Sequence, residues 1–312
     1  MRESTILPNS PPLSPPLSAR DLHQRQQMEQ YFPDGHHVRL RSRMLGTYLH
    51  ADPDGHGVSL RRRRDSPNAA WTVHLVQGNQ NVRYLLLHGA AHGRYLAATA
   101  CPAPRGHRGL RVAQRDYDAP QTAYIMWRTV GSSDGAGDDV VLRNAAPGCG
   151  CLRGNGRRNL RWNHGVTVDE VFDGLREKMF MYWVVEPVPA RDGLPAVPRP
   201  TGIPIPRSLA VLLPGRRILY WQANADGVCA DDGWPPLFVF RGRSAFHLRN
   251  ELVSRVGHSD FVMCIRAGFY GRLTPLVVDL PRSRHGRTIH IVVVMTGTPA
   301  AAELRYPDVN AE

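Results

Sequence analysis

The chain has 312 residues, 42% of them apolar and 21% charged, enough for buried cores and long for a single ordinary domain. Its most apolar stretches, such as 289–295, stay well short of the ~18 residues that cross a bilayer, so no membrane span is expected. The formal charge is +12, and 38 of the 39 basic residues are Arg, with Lys178 the single Lys.

That excess is spread out: 21 basic against 14 acidic residues over 34–189, and 15 against 10 over 190–312. A distributed arginine surplus reads as weak attraction to acidic partners such as filaments, nucleic acid or anionic lipid, without a dedicated basic arm, and no specific nucleic acid is expected. The 29 Gly and 26 Pro favour short strands and tight turns over long helices. Five cysteines (Cys101, Cys149, Cys151, Cys229, Cys264) show no framework spacing, which points to a reducing compartment. Cys149-Gly-Cys151 lacks the second ligand pair that a metal site needs, so the two read as turn cysteines and no metal is expected.

In chain order, residues 1–33 form a Ser/Pro-rich leader expected to be disordered, at least over the first 27 residues. Pro12-Leu13-Ser14-Pro15 within it matches the minimal ligand of SH3-like grooves, a match that arises often by chance.

From residue 34 to 188 the sequence repeats itself. Val38, Leu40, Gly46, Tyr48, Leu49 and Ala51 align without a gap on Leu85, Leu87, Gly93, Tyr95, Leu96 and Ala98. A third copy places Val140, Leu142 and Gly148 at the same offsets and, after one inserted residue, Cys151, Leu152 and Gly154. Each copy closes on a tryptophan strand, and Trp71, Trp127 and Trp183 are 56 residues apart in both intervals. Within one copy, Val38 and Leu40 alternate as a strand, Gly46 turns the chain, Tyr48 to Ala51 return, and Val58/Leu60 and Trp71/Val73 add two more strands. One such unit cannot bury its apolar face alone, whereas three around an axis close a barrel without free edges. The prediction is a β-trefoil, with the tryptophans filling the barrel. An immunoglobulin-like sandwich would give no reason for a threefold period.

The opening MEQYFPDGHHVRLRSRMLGTYLHADPDG, the strand AAWTVH and RNLRWNHGVTVD resemble a land-plant family of unknown function grouped with fascin-like, actin-crosslinking β-trefoils. The resemblance covers roughly 28–189 and implies filamentous actin as a candidate partner. Fascin-like proteins chain several trefoils and this sequence has one, so the resemblance implies binding more readily than crosslinking.

A proline-rich linker, expected to be semi-rigid, spans 189–214. Beyond it, residues 215–312 read as a smaller α+β domain: strands at 216–223 and 237–240, a helix capped by Ser244 and stopped by Gly257, then strands at 261–266, 276–280 and 288–295. That order resembles the ubiquitin-like β-grasp. A ferredoxin-like sandwich would want a second long helix, and only 299–305 offers a short one.

No catalytic signature occurs: no nucleophile elbow, phosphate loop or paired metal histidines. The 14 histidines, including His36-His37, read as solvated turn residues, and Asp138-Asp139 and Asp231-Asp232 as loop acids. Non-enzymatic binding without a cofactor is therefore expected. The sharpest charge run, Arg61-Arg62-Arg63-Arg64, follows a strand and is the candidate binding patch. Acidic protein surfaces are the first expected partner and carbohydrate or phosphoinositide recognition by the trefoil the second. The ricin-type Gln-x-Trp signature is missing before Trp71, Trp127 and Trp183, which disfavours that lectin type. The expected compartment is the cytoplasm, with the cytoskeleton or nucleus as further locations.

Overall fold

The structure, a computed structural model, describes residues 28–78, 82–118, 122–130, 139–156, 164–170, 178–200, 213, 215–229, 235–282 and 288–311. The leader to residue 27, Asp138, and Asp231-Asp232 lie outside the described residues.

Twelve strands build the first domain. They are β1 (His37–Ser42), β2 (Tyr48–Ala51), β3 (Val58–Arg61), β4 (Trp71–Gln77), β5 (Arg83–Gly89), β6 (Tyr95–Pro102), β7 (Leu110–Arg115), β8 (Trp127–Val130), β9 (Asp139–Asn144), β10 (Cys151–Gly154), β11 (Val166–Asp169) and β12 (Tyr182–Val188). Pairing of β1 with β4, β4 with β5, β5 with β8, β8 with β9, β9 with β12 and β12 with β1 closes a six-stranded ring. The hairpins β2–β3, β6–β7 and β10–β11 cover one end of that ring.

The pseudo-threefold symmetry is explicit in the register. Trp71 stands opposite Val38, Trp127 opposite Leu85 and Trp183 opposite Val140. Each indole N–H donates a 3.0 Å hydrogen bond to the carbonyl of Leu49, Leu96 or Leu152. All three tryptophans are fully buried among Leu40, Leu87, Leu142 and their repeat mates. Gly46, Gly93 and Gly148 adopt φ of 62°, 67° and 71°, a left-handed turn that a side chain would strain.

Residues 28–33 belong to this domain rather than to the leader. Met28 and Phe32 are buried in the barrel core, and the Phe32 amide donates to the Met28 carbonyl at 2.8 Å, closing a helical turn. Two well-spaced apolar side chains anchor a segment that its polar neighbours had marked as solvated.

The second domain has β13 (Gly215–Gln222), β14 (Leu237–Arg241), helix α1 (Ala245–Val256), β15 (Phe261–Arg266), β16 (Leu273–Pro275), β17 (Ile289–Met295) and the short helix α2 (Pro299–Glu303). Its sheet order is β14-β13-β17-β15-β16, with the central β13–β17 pair parallel and the rest antiparallel, which is the ubiquitin-like arrangement. Ser244 caps α1 by accepting from the His247 amide, and Gly257 ends it at φ 81°. Ala245, Leu248 and Leu252 of α1 pack against Ile218, Phe240, Met263, Ile291 and Val293 on one face of the sheet. On the other face α2 sets Ala300 against Cys264, Val292 and Val294.

The strand expected at 276–280 lies earlier, at Leu273–Pro275. Pro275 lacks an N–H for the ladder, and after the Leu276 amide donates to Met263 the chain leaves the sheet. Leu276 and Leu280 are apolar because they cover the α1 core, not because they alternate in a ladder.

The linker's start is held. Ala190 bridges Pro307, the Arg191 amide donates to Tyr306 and the Asp308 amide donates to Pro189, each at 2.8 Å for the two hydrogen bonds.

Candidate functional site

The two domains dock along a seam formed by the second trefoil repeat together with residues of the first. Tyr117, just after β7, donates its amide to Ala267 at 2.8 Å, and its carbonyl accepts from the Tyr270 amide at 2.9 Å, so backbone crosses between domains as in a sheet edge. The side of Gly268 facing Tyr117 has no room for a Cβ, which would lie 2.5 Å from backbone atoms. Tyr95 is fully buried at the seam; its hydroxyl accepts from the Arg272 amide at 3.0 Å and lies 3.0 Å from His74 Nδ1. Arg272 also forms a two-pronged pair with Asp34 at 3.0 and 2.9 Å. Thr274 Oγ1 is 3.3 Å from His88 Nδ1, the Arg282 amide donates to Pro53 at 2.7 Å, and Arg39 Nη2 donates to Val309 at 2.7 Å.

Histidines line this seam, and they are not the solvated turn residues their sequence context suggests. His37, His74, His88 and His92 are all under a tenth exposed. His36 occupies the turn, but His37 opens β1 and points inward with it. Burial, reinforced by neighbouring His36 and Arg305, pushes His37 down to about 4. Burial and then Arg272 push His74 to about 4 against the opposing pull of Asp34. His92 falls to about 4 through burial, and burial holds His88 well below the usual imidazole value. All four are neutral near pH 7. The same burial raises the Tyr95 phenol to about 12.

Two clefts flank the seam. One, about 590 Å³, lies between β1, the end of β5 and α2, with Asp34, His37, His88, Arg272, Glu303 and Arg305 on its walls. The other, about 420 Å³, lies between the β5–β6 hairpin and the sheet end formed by β13, β15 and β17, with Asp54, His92, Arg94, Arg216, Arg217 and Arg266 on its walls.

The residues singled out from sequence lie elsewhere. Arg61, Arg62, Arg63 and Arg64 are exposed at the end of β3, in the first repeat, and line neither cleft. Arg61 pairs with Asp52 at 3.2 Å and Arg63 with Asp65 at 3.0 Å. Gly46, Tyr48, Gly148, Trp71, Trp127 and Trp183 are scaffold positions, whereas Gly93 and Tyr95 belong to both the scaffold and the seam; a Cβ on Gly93 would meet Thr274 Oγ1 at 2.9 Å. Asp139 is not a loop acid: it opens β9, is buried, and pairs with Arg43. Cys151 lies in β10 rather than a turn, and burial raises its thiol to about 11. Among the described residues no three His, Cys, Asp or Glu side chains converge as metal ligands, and no helix is long and apolar enough to cross a membrane.

Sequence reasoning passed over His92, Arg94 and Arg216. The available signal was the tip Gly89-Ala90-Ala91-His92, which stands where the first repeat has Ser42-Arg43-Met44-Leu45.

Comparison with known proteins matches the description "Beta-trefoil domain of unknown function (DUF569)" over residues 28–183 and "DUF569 associated ubiquitin-like domain" over 214–294. A search of curated proteins gives no match. Among solved structures, the SDF2-like protein from Arabidopsis thaliana is 17% identical over 49% of this chain and 93% of its own, with a TM-score of 0.38. The BEL beta-trefoil is 16% identical over 50% of this chain and 97% of its own, TM-score 0.37. SeviL, solved bound to asialo-GM1 saccharide, is 10% identical over 48% and 96%, TM-score 0.35. The two matched segments coincide with the closed ring and the five-stranded sheet, and the chain belongs to the DUF569 family, a β-trefoil of unknown function followed by its associated ubiquitin-like domain.

Proposed function

We propose that the protein is a non-enzymatic binding protein of the cytoplasm that attaches to acidic protein surfaces through the first trefoil repeat, with filamentous actin the candidate that the fascin-like resemblance implies. The observation that carries this reading is the charge of one face. Arg39, Arg41 and Arg61 to Arg64 gather where Asp52, Asp65 and Glu186 supply the nearby counter-charge. Arg39 is buried beneath this face, and the other five guanidinium groups against three carboxylates leave a net cationic patch in which the run 61–64 is exposed. Forked guanidinium groups suit acidic filament loops, and their attraction is long-ranged at low salt.

A single trefoil with one such face supports attachment, not crosslinking, since bundling needs two binding surfaces or a dimer. Co-sedimentation with filamentous actin across a salt series tests the reading. Pelleting at low ionic strength that weakens steeply with salt, and that disappears when Arg61 to Arg64 are replaced together by Gln, is the expected result. Absence from the pellet at low salt removes actin, and undiminished pelleting of the fourfold variant removes the arginine run.

A further inference from the structure

The loop that carries the arginine run also carries a hydroxyl whose proton is unused, that of Ser66. We propose that Ser66 is a phosphorylation site for an arginine-directed protein kinase, and that its phosphate cancels the cationic face and releases the acidic partner. The release rests on the acidic-surface reading, whereas the modification stands without it.

Residues 62–66 lie between β3 and β4 outside any ladder, and Arg61 to Asp65 are all exposed. The loop is pinned at two points: the Arg63 carbonyl lies 2.6 Å from His50 Nε2, and the Ser66 carbonyl accepts from the Ala69 amide at 2.9 Å. Ser66 is half-buried and extended, with φ −137° and ψ 135°. Pro67 enforces this, because its ring disfavours the helical region for the residue before it. An extended acceptor preceded by exposed chain can be laid into a groove without opening the barrel. Ser66 Oγ accepts from the Asn68 amide at 3.3 Å and donates to no described residue, so its proton is available. Nearby hydroxyls differ: Ser59 sits within β3 and donates to Asp52 at 2.6 Å, and Ser42 is fully buried.

Charge supplies both the recognition and the consequence. Arginines stand two, three, four and five residues before Ser66. Arg61 pairs with Asp52 and Arg63 with Asp65, whereas Arg62 and Arg64 meet no carboxylate among the described residues. A kinase that selects guanidinium groups ahead of its acceptor does so with carboxylates in its groove, and forked donors suit that pairing. In the transfer, Ser66 Oγ forms a bond to the γ-phosphorus of magnesium ATP. The bond from that phosphorus to the β,γ-bridging oxygen breaks, ADP leaves with the electron pair, and the hydroxyl proton passes to the kinase's carboxylate base. The phosphoserine so formed carries about −1.5 to −2 charges near pH 7. Five guanidinium groups against three carboxylates give the face an excess of two positive charges, which one phosphate removes. Arg62 and Arg64, without carboxylates of their own, are the groups to receive it.

Three measurements on the full chain test this. Protein recovered from its own cells under phosphatase inhibition is digested, and the peptides containing Ser66 are sequenced by mass spectrometry. They should carry a phosphate on Ser66; unmodified peptides overturn the site, as does a phosphate on Thr72 alone. Phosphoserine placed at residue 66 by codon suppression then supplies the modified chain. Its phosphorus NMR titration should show the second ionisation below the ordinary value of about 6, because guanidinium groups favour the dianion. An ordinary value overturns the charge cancellation. In co-sedimentation with filamentous actin at low ionic strength, the phosphorylated chain should bind at least about tenfold more weakly than the parent, and Ser66→Ala should bind as the parent does. Equal pelleting of the modified and unmodified chains overturns the release. A parent that never pellets removes actin and leaves the peptide map and the phosphorus titration to decide on Ser66. Retention on immobilised polyglutamate then replaces the pellet: weaker retention of the phosphorylated chain supports the release, and equal retention overturns it.

Discussion

The first and second trefoil repeats share one backbone and differ in what covers them. In the first, the hairpin tip carries Arg43, Met44 and Leu45, and Met44 is 44% exposed. In the second the same positions are Ala90, Ala91 and His92, at 1%, 1% and 4% exposed, beneath the ubiquitin-like domain. A Cβ on Gly46 would meet open space, whereas one on Gly93 would meet Thr274 and Ile265. Threefold symmetry thus governs the core, where Trp71, Trp127 and Trp183 are interchangeable, and is abandoned on the surface, where one copy has been cut back to receive a partner domain.

Acid should break this comparison most strongly. His37, His74 and His92 have folded values near 4 against an ordinary 6.5; His37 and His74 lie on first-repeat strands facing the seam, and His88 and His92 belong to the second repeat. The unfolded chain takes up protons below about 6.5 and the native seam does not until about 4, so stability is fully present above pH 6.5 and falls as pH drops between these values. Each such histidine contributes about 1.4 kcal/mol per pH unit within that window. Thermal melts taken from about pH 7.5 to about pH 4.5 should therefore show a steep loss of Tm. A flat profile would mean that the seam histidines are solvated.

Next in size, Trp71→Ala, Trp127→Ala and Trp183→Ala should each cost ~3–5 kcal/mol, and by similar amounts, because each empties the same pocket and strands the same type of carbonyl. Denaturant titration checks this, and one tryptophan far cheaper than the others would show that the symmetry is only geometric. Exchanging the hairpin tips is a more selective test. Ala91→Met should cost ~1–3 kcal/mol by overpacking a covered site. The reverse change in the exposed copy, Met44→Ala, should stay within about 0.5 kcal/mol. Equal effects would mean that the domains do not hold this docked arrangement in solution. Smallest, Arg272→Ala removes a partly exposed pair with Asp34 and should cost about 0–1 kcal/mol, diminishing further in salt.

The parts legible in sequence were those whose cause is local or periodic. Val38/Leu40 and Leu85/Leu87 announce strands, glycines at matched offsets announce turns, and the 56-residue spacing of tryptophans announces a closed threefold barrel. Ser244 and Gly257 bracket α1 through backbone hydrogen-bond chemistry alone. What stayed hidden depends on a partner surface far away in the chain. His88 and Thr274 are 186 residues apart, and nothing near His88 marks it as interior once a single hairpin is considered. Leu276 and Leu280 misled for the related reason that apolarity reports burial without saying which element provides it. Arg216 read as an ordinary strand residue because its lack of a carboxylate is a property of assembled space.

The antiparallel clasp between Ala190 and Pro307 gives the chain an unusual mechanical logic. The ubiquitin-like domain leaves the barrel and comes back to it at almost the same spot, so it hangs as a closed loop from two adjacent stitches, with Arg39 gripping Val309 as a further fastening. Melting that domain would release a tethered lasso, not a free tail, and its unfolded state would carry less entropy than a chain secured at one end. Force applied to the C-terminus would peel the clasp before it ever loaded the sheet.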